Sequence, residues 1–134
     1  MRVVVAGSRD LLSPSLVDVA VEALGVRITL VMSGACPTGA DAFGEAWALR
    51  HRVPVARYPP DWNRFGASAG PRRNAAMAEA CDAAVVVLWE TGSRGSENMI
   101  ECMARHPAKP CRVVRVPRVQ GVRELTTPKA PHPR

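Results

Sequence analysis

The chain has 134 residues, of which 47% are hydrophobic, and these values are typical of one domain with a buried core. No apolar run approaches the ~20 residues that span a bilayer, and the N-terminus lacks the features of a signal peptide, so we expect a cytoplasmic protein with no membrane partner. The net charge of +6 comes from the C-terminus, because residues 1–104 hold 10 arginines and 11 acidic residues. Four scattered cysteines and three distant histidines predict reduced thiols and no metal site.

Apolar runs alternate with segments of helical periodicity along most of the chain. Strands are predicted at residues 3–6, 28–32, 54–58, 83–89 and 111–116. Helices are predicted at residues 13–25, 38–52, 71–81 and 96–105. Strands that are apolar throughout are typical of a parallel sheet with helices on both faces. The sequence therefore predicts an α/β, Rossmann-like doubly wound fold with a mostly parallel five-stranded sheet.

Differences in composition divide the chain into two segments. Residues 1–116 are predicted to form the Rossmann-like domain, and residues 117–134 a basic tail that contains proline. Little regular structure is expected in the tail, apart from a short element at residues 119–125. A basic tail can hold nucleic acid, but it also aids solubility. The second interpretation is favoured, because aromatic residues and dense basic runs are missing from the tail.

Glycine and small polar residues stand between four apolar runs and the helices that follow them. In a parallel sheet with right-handed crossovers, these junctions lie at one edge. Backbone N–H groups and helix N-termini at such an edge favour an anionic ligand, phosphate above all. The candidate ligand-binding residues at the junctions are Gly7, Ser8, Arg9, Gly34, Gly39, Asp41, Gly70, Arg73, Asn74, Gly92, Ser93, Arg94, Gly95 and Ser96.

Two arginines stand in the predicted first turn of the third helix, after Pro71 as its first residue. There they oppose the helix dipole, a conflict that a bound anion removes. Arg73 shares a helix face with Met77, four residues later, and is preferred to Arg72 as the ligand residue.

Several candidates have a structural role as the alternative. Asp41 is either the partner of Thr38 in a capping box or an acceptor for a sugar hydroxyl. Ser96 either caps the fourth helix or donates its hydroxyl to an anion. Ser8 and Arg9 are compatible with a turn and a surface charge. The loop at residues 58–65 holds three of the six aromatic residues, which stack on bases or, as we favour, cover a sheet edge.

Together these motifs resemble the YspA/YpsA-related branch of the SLOG superfamily over residues 3–116. The segments that carry the resemblance are Gly7-Ser8-Arg9-Asp10, Gly39-Ala40-Asp41, Tyr58-Pro59-Pro60-Asp61-Trp62, residues 69–77 and Gly92-Ser93-Arg94-Gly95-Ser96. The resemblance implies a Rossmann-like domain that binds a nucleotide or a nucleotide-derived ligand. Relatives include the LOG phosphoribohydrolases, which cut the N-glycosidic bond of nucleoside monophosphates, and the DNA-binding DprA proteins.

The LOG enzymes carry an R-K-x-x-M segment and a P-G-G-x-G-T-x-x-E segment. Residues 73–77 resemble the first, and residues 91–96 resemble the second with three replacements. The expected acid falls near positions 98 and 99, where no carboxylate stands. Glu97 is one residue early and Glu101 about one turn late, and these two are the candidate catalytic residues.

The sequence thus predicts a sensor or binding domain for a nucleotide or nucleotide-derived phosphate ligand, with no cofactor. The alternative is a hydrolase of nucleoside monophosphates, in which Glu97 or Glu101 assists water and Arg73 holds the phosphate. Binding of nucleic acid through the tail ranks third. Apolar helix faces that carry Phe43 and Trp47 suit a homodimer, but packing in the core explains them equally well.

Overall fold

A five-stranded sheet, parallel throughout, forms the centre of the protein in a computed structural model that describes residues 1–118. The strands, in chain order, are β1 (Arg2–Gly7), β2 (Leu30–Ser33), β3 (Val55–Arg57), β4 (Ala83–Trp89) and β5 (Cys111–Val116). In the sheet they lie in the order β3-β2-β1-β4-β5. The predicted α/β, Rossmann-like architecture is confirmed. The short element predicted at residues 119–125 lies outside the described residues.

Helices cover both faces of the sheet. In chain order they are α1 (Pro14–Glu22), α2 (Gly39–Arg50), α3 (Trp62–Phe65), α4 (Ala69–Ala80) and α5 (Arg94–Ala104). Side chains alternate between the two faces of a strand, so Val3 and Val5 of β1 pack with α1 and α2, and Val4 packs with α4 and α5. The sheet is therefore the middle layer between two apolar clusters. No helix within residues 1–118 has both the length and the apolar character needed to cross a membrane.

The predicted boundaries differ from the observed ones at the two helices beside the expected phosphate site. A 3₁₀ turn at residues 66–68 leads directly into α4, so this helix begins two residues before Pro71. Pro71 still lies in the first turn, where a missing N–H breaks no helical hydrogen bond. The α5 helix begins at Arg94 with Ser93 in the N-cap position, so the prediction that Ser96 caps the helix is wrong. The α3 helix lies in the segment predicted as a loop.

The large side chains proposed for a dimer face pack inside the protein. Trp47 is 7% exposed and belongs to the apolar cluster under α1 and α2, and Phe43 packs against the same cluster. Packing in the core therefore accounts for both residues. All four cysteines are free, and Cys81 and Cys102 are buried.

Side chains in the middle of the sheet are more deeply buried than those on its edge strand. This difference gives a matched pair of substitutions. Val85 on β4 is fully buried, and Val113 on the edge strand β5 is 38% exposed. We expect Val85→Ala to lower the free energy of unfolding by about 2 kcal/mol, because it removes buried methyl groups and leaves a cavity. Val113→Ala should cost less than about half of that. Urea unfolding of both variants, followed by circular dichroism, measures the difference, and equal losses would contradict this assignment of the core.

Candidate functional site

The strand order reverses beside β1, and this reversal creates a crevice at the carboxyl edge of the sheet. From β1 the chain runs outward through β2 to β3, then crosses to the other side of β1 for β4 and β5. Loops at the carboxyl ends of β1 and β4 diverge to opposite faces, and ligands of open α/β sheets bind between such loops. A cleft of about 540 Å³ lies here, a volume typical of small-molecule sites.

Most of the candidate residues come together in this cleft. Those that line it are Gly7, Arg9, Gly34, Asp41, Arg73, Asn74, Gly92, Ser93, Arg94, Gly95 and Ser96. Three junctions of the chain therefore contribute directly to one cavity, at the ends of β1, β2 and β4, together with the first half of α4.

The guanidinium of Arg73 is half-buried and links several of these segments. Its Nε donates to Oδ1 of Asn74 at 2.8 Å. Its Nη1 donates to the carbonyl of Gly34 and, at 3.2 Å, to the carbonyl of Tyr58. Burial lowers the pKa of Arg73, and the nearby carboxylate of Asp41 opposes that change. The hydrogen bonds to residues 1–118 use Nε and Nη1 and leave Nη2 available to another acceptor.

The side chain of Asn74 carries the connection on to α5. It is 5% exposed, and its Nδ2 donates to the carbonyl of Gly95 at 3.2 Å and to Oδ1 of Asn98 at 3.0 Å. Since its Oδ1 accepts from Arg73, both ends of the amide are used. Arg73 and the first turn of α5 are thus held in a fixed relation to each other.

Charged side chains approach the backbone closely at Gly34. A methyl group on Gly34 would collide with the guanidinium of Arg73 and would lie 2.9 Å from Oδ2 of Asp41. The absence of a side chain therefore lets a carboxylate and a guanidinium from two helices face the same point of the loop after β2.

Asp41, in the first turn of α2, is 8% exposed and lines the cleft. Its Oδ2 accepts a hydrogen bond from the backbone N–H of Cys36 at 3.1 Å. Burial raises the pKa of Asp41 to about 6, although the Cys36 hydrogen bond and the charge of Arg73 act in the opposite direction. The capping-box interpretation is wrong, because Oγ1 of Thr38 donates to the carbonyl of Arg9 at 2.8 Å and caps nothing in α2.

The N-terminus of α5 opens into the cleft. Gly92 has a φ of 82°, which favours glycine and turns the chain from β4 into the helix. No side chain caps α5: Oγ of Ser93 donates instead to Oγ of Ser96 at 2.8 Å. The positive end of the helix dipole and backbone N–H groups of the first turn therefore face a cavity that also holds Arg73.

The sequence of the first half of the chain carries a family signature. Residues 1–65 match the model of the YspA, cpYpsA-related SLOG family. This match confirms over residues 1–65 the resemblance stated from the motifs. The SLOG match runs from β1 to α3 and includes the junctions after β1 and β2, whereas α4, β4 and α5 lie beyond it. Comparison with curated proteins and with solved structures gave no match.

Three SLOG-motif residues proposed as ligand contacts lie outside the cleft lining. Ser8 is buried, and its Oγ accepts from the backbone N–H of Trp89 at 3.1 Å, which ties β1 to β4. Gly39 has a φ of 69° and lies against the backbone of the loop after β1. Gly70 lies beside Trp62, where an added methyl group would be 3.7 Å from the indole.

The two candidate catalytic acids also lie outside the lining. Glu97 accepts hydrogen bonds from Nη1 and Nη2 of Arg115 at 2.8 and 2.9 Å, and these contacts lower its pKa. Glu101 is exposed one turn further along α5. Asn98 stands at the expected position of the acid, and it accepts a hydrogen bond from Asn74. The carboxylates that line the cleft are those of Asp10 and Asp41.

A cluster that sequence reasoning missed forms one side of the cleft. Nε1 of Trp89 donates to Oδ1 of Asp10 at 2.8 Å, and Nη2 of Arg118 lies 3.1 Å from Oδ2 of the same carboxylate. The guanidinium carbon of Arg118 is 4.1 Å from the centre of the Trp89 ring. The one available signal was the position of Trp89 at the end of the most apolar strand, next to β1.

The aromatic side chains that were considered for base stacking lie elsewhere. No aromatic residue of the segment 58–65 lines the cleft. Phe65 lies under the guanidinium of Arg72, whose carbon is 4.3 Å from the ring centre, and Trp62 is exposed. Arg72 is thereby engaged outside the cleft lining. Among residues 1–118, no three His, Cys, Asp or Glu side chains are grouped to hold a metal ion.

The pKa of Asp41 predicts a pH-dependent cost in stability. The folded-state value of about 6 lies above the ordinary 3.8, so the folded protein holds a proton at intermediate pH that the unfolded chain has lost. The stability linked to that proton is complete below about pH 4 and is lost as the pH rises through 6. We expect Asp41→Asn to raise the free energy of unfolding by about 3 kcal/mol at pH 8 and by little at pH 4. Urea unfolding at both pH values measures this, with Glu79→Gln, an exposed site, as the control. A gain of the same size at both pH values would contradict the assignment.

Proposed function

We propose that this protein binds a nucleotide or a nucleotide-derived phosphate ligand in the cleft, as a binding or sensing domain. The observation that carries the proposal is the meeting of two anion-binding elements in one cavity. One is the half-buried guanidinium of Arg73 with Nη2 available, and the other is the uncapped N-terminus of α5. Together they supply charge, directed N–H donors and a favourable dipole for a phosphate group.

The glycine in the first turn of α5 makes room for the phosphate oxygens, whereas the carboxylate of Glu97 fills the space beside Gly92 in the preceding loop. A methyl group on Gly95 would meet no atom within 4 Å, so open space adjoins this residue in the first turn. Ser96 adds a hydroxyl donor on the same side of the cavity, because its Oγ accepts from Ser93 and keeps its own proton for another acceptor. The phosphate is therefore assigned to the space between Arg73 and residues 93–96.

A hydrogen-bond donor on the ligand is assigned to Asp41. Its Oδ2 is engaged by the N–H of Cys36, and Oδ1 accepts no hydrogen bond from residues 1–118. A carboxylate of this kind accepts hydrogen bonds from sugar hydroxyls. The charge of Arg73 between the carboxylate and the phosphate site reduces their mutual repulsion.

Binding is preferred to N-glycoside hydrolysis because of where the acidic side chains lie. A general acid or base must be within hydrogen-bond reach of the reacting group and must have a pKa near the working pH. Glu97 is held by Arg115 with a lowered pKa, and neither Glu97 nor Glu101 lines the cleft. Asp41 does line it, but its surroundings support the role of a hydrogen-bond acceptor.

The two adjacent arginines of α4 provide a matched test. We expect Arg73→Gln to weaken the binding of AMP, ADP-ribose, NAD or a cyclic nucleotide at least tenfold, since it removes a charge-assisted hydrogen bond. Arg72→Gln should change the dissociation constant less than twofold, because Arg72 lies on Phe65. Isothermal titration calorimetry gives both constants, with circular dichroism to verify folding. Arg73→Lys is the second variant, in which the charge remains and the bonds to Gly34 and Tyr58 are weakened.

Two results would count against the proposal. One is the absence of binding by every phosphate-bearing ligand of that set to the wild-type protein. The other is an equal loss of affinity in the Arg72 and Arg73 variants. Chromatography of the same mixtures shows whether free base is released. Release that disappears in both Glu97→Gln and Glu101→Gln would establish the hydrolase instead.

A further inference from the structure

We infer that the indole ring of Trp89 is the stacking surface for a nucleobase, and that Arg118 occupies this surface until the ligand displaces it. The inference rests on the proposed function, since it assigns the second end of the same ligand. We assign this second end to a planar aromatic group, which is joined to the phosphate that Arg73 and α5 hold.

The position of Trp89 suits this role. It is the last residue of β4, at the point where the strand order reverses, and it lines the cleft. Among residues 1–118 it is the one aromatic side chain that does so. The phosphate site begins four residues later, at Ser93, so one ligand of nucleotide size within a cavity of about 540 Å³ reaches both.

The ring of Trp89 is fixed in orientation by hydrogen bonds at its backbone and at the edge of the ring. Its backbone N–H donates to Oγ of Ser8 at 3.1 Å, and its indole N–H donates to Oδ1 of Asp10 at 2.8 Å. The partners thus hold the backbone and the edge of the ring. A surface that is already ordered binds a planar group with less loss of conformational entropy.

The guanidinium of Arg118 lies over this ring. Its guanidinium carbon is 4.1 Å from the ring centre, and the same group pairs with Asp10. Both contacts are exposed, since the side chains of Arg118 and Asp10 have relative accessibilities of 48% and 55%. Exposed ion pairs and cation–π contacts are weak, whereas stacking of a base on an aromatic side chain is stronger. Replacement of the guanidinium by a base is therefore favourable.

The test compares the binding of AMP with that of ribose 5-phosphate, which lacks the base. The readout is the affinity for AMP divided by the affinity for ribose 5-phosphate. Trp89→Leu keeps an apolar side chain and should lower the ratio at least about fivefold. Trp89→Phe keeps an aromatic face and should preserve the ratio within about twofold. Arg118→Ala removes the competitor and should raise the ratio severalfold. Any effect of Asp10 on the phosphate group is common to both ligands and cancels in the ratio.

Each outcome separates this inference from the proposed function. Binding of both ligands with a ratio that is equal in wild type and Trp89→Leu overturns the base site and leaves the phosphate site intact. A lower ratio in Arg118→Ala overturns the displacement, since Arg118 would then contribute to binding. Failure of both ligands to bind the wild-type protein removes the proposed function and this inference with it.

Two further measurements sharpen the assignment. Tryptophan emission should fall when AMP binds, and Trp89→Phe should bind AMP with that fall greatly reduced. An AMP-dependent change that survives in Trp89→Phe would place the base near another tryptophan.

A 5′-phosphorylated oligonucleotide that binds more tightly than AMP, with the same dependence on Trp89, would overturn the assignment to a mononucleotide in favour of a nucleic-acid end.

Discussion

The half-buried guanidinium of Arg73 is the constraint on which the geometry of the cleft depends. A cation removed from water requires acceptors, and Arg73 finds them in the carbonyls of Gly34 and Tyr58 and in the amide of Asn74. These acceptors belong to the loops after β2 and β3 and to α4 itself, and Asn74 continues to the carbonyl of Gly95. One charge therefore fixes the relative positions of most of the segments that line the cavity.

The burial of charged groups around Arg73 lowers the stability of the folded state. Burial disfavours the charged forms of both Arg73 and Asp41, and each charge offsets only part of the cost of the other. Charged groups that are removed from water without a close partner of opposite charge lower the stability of the folded state. Perturbed charged groups that lie together in a cavity are more typical of a binding or catalytic site than of a structural one.

The sequence predicted the parts of this arrangement that depend on local patterns. Uninterrupted apolar runs gave the parallel sheet, and the spacing of Arg73 and Met77 correctly placed both on the cleft side of α4. Contacts between distant residues left no pattern to detect: Trp89 and Asp10 are 79 positions apart. The capping box failed for the same reason, since Thr38 has the right spacing but donates to a carbonyl 29 residues away.

The direction of α5 explains why its acidic residues point elsewhere. One face of this helix, with Ser96, Met99 and Met103 at helical spacing, turns toward the cleft and the apolar cluster, and all three are buried. Glu97 is rotated by about 100° from Ser96, which brings it to Arg115 on β5. A carboxylate from this buried face of α5 would have to replace Ser96 or Met99, the two of its residues that line the cavity. The residues of α5 that line the cavity are Arg94, Gly95, Ser96 and Met99. None of them carries a carboxylate, and this is why we prefer binding to hydrolysis.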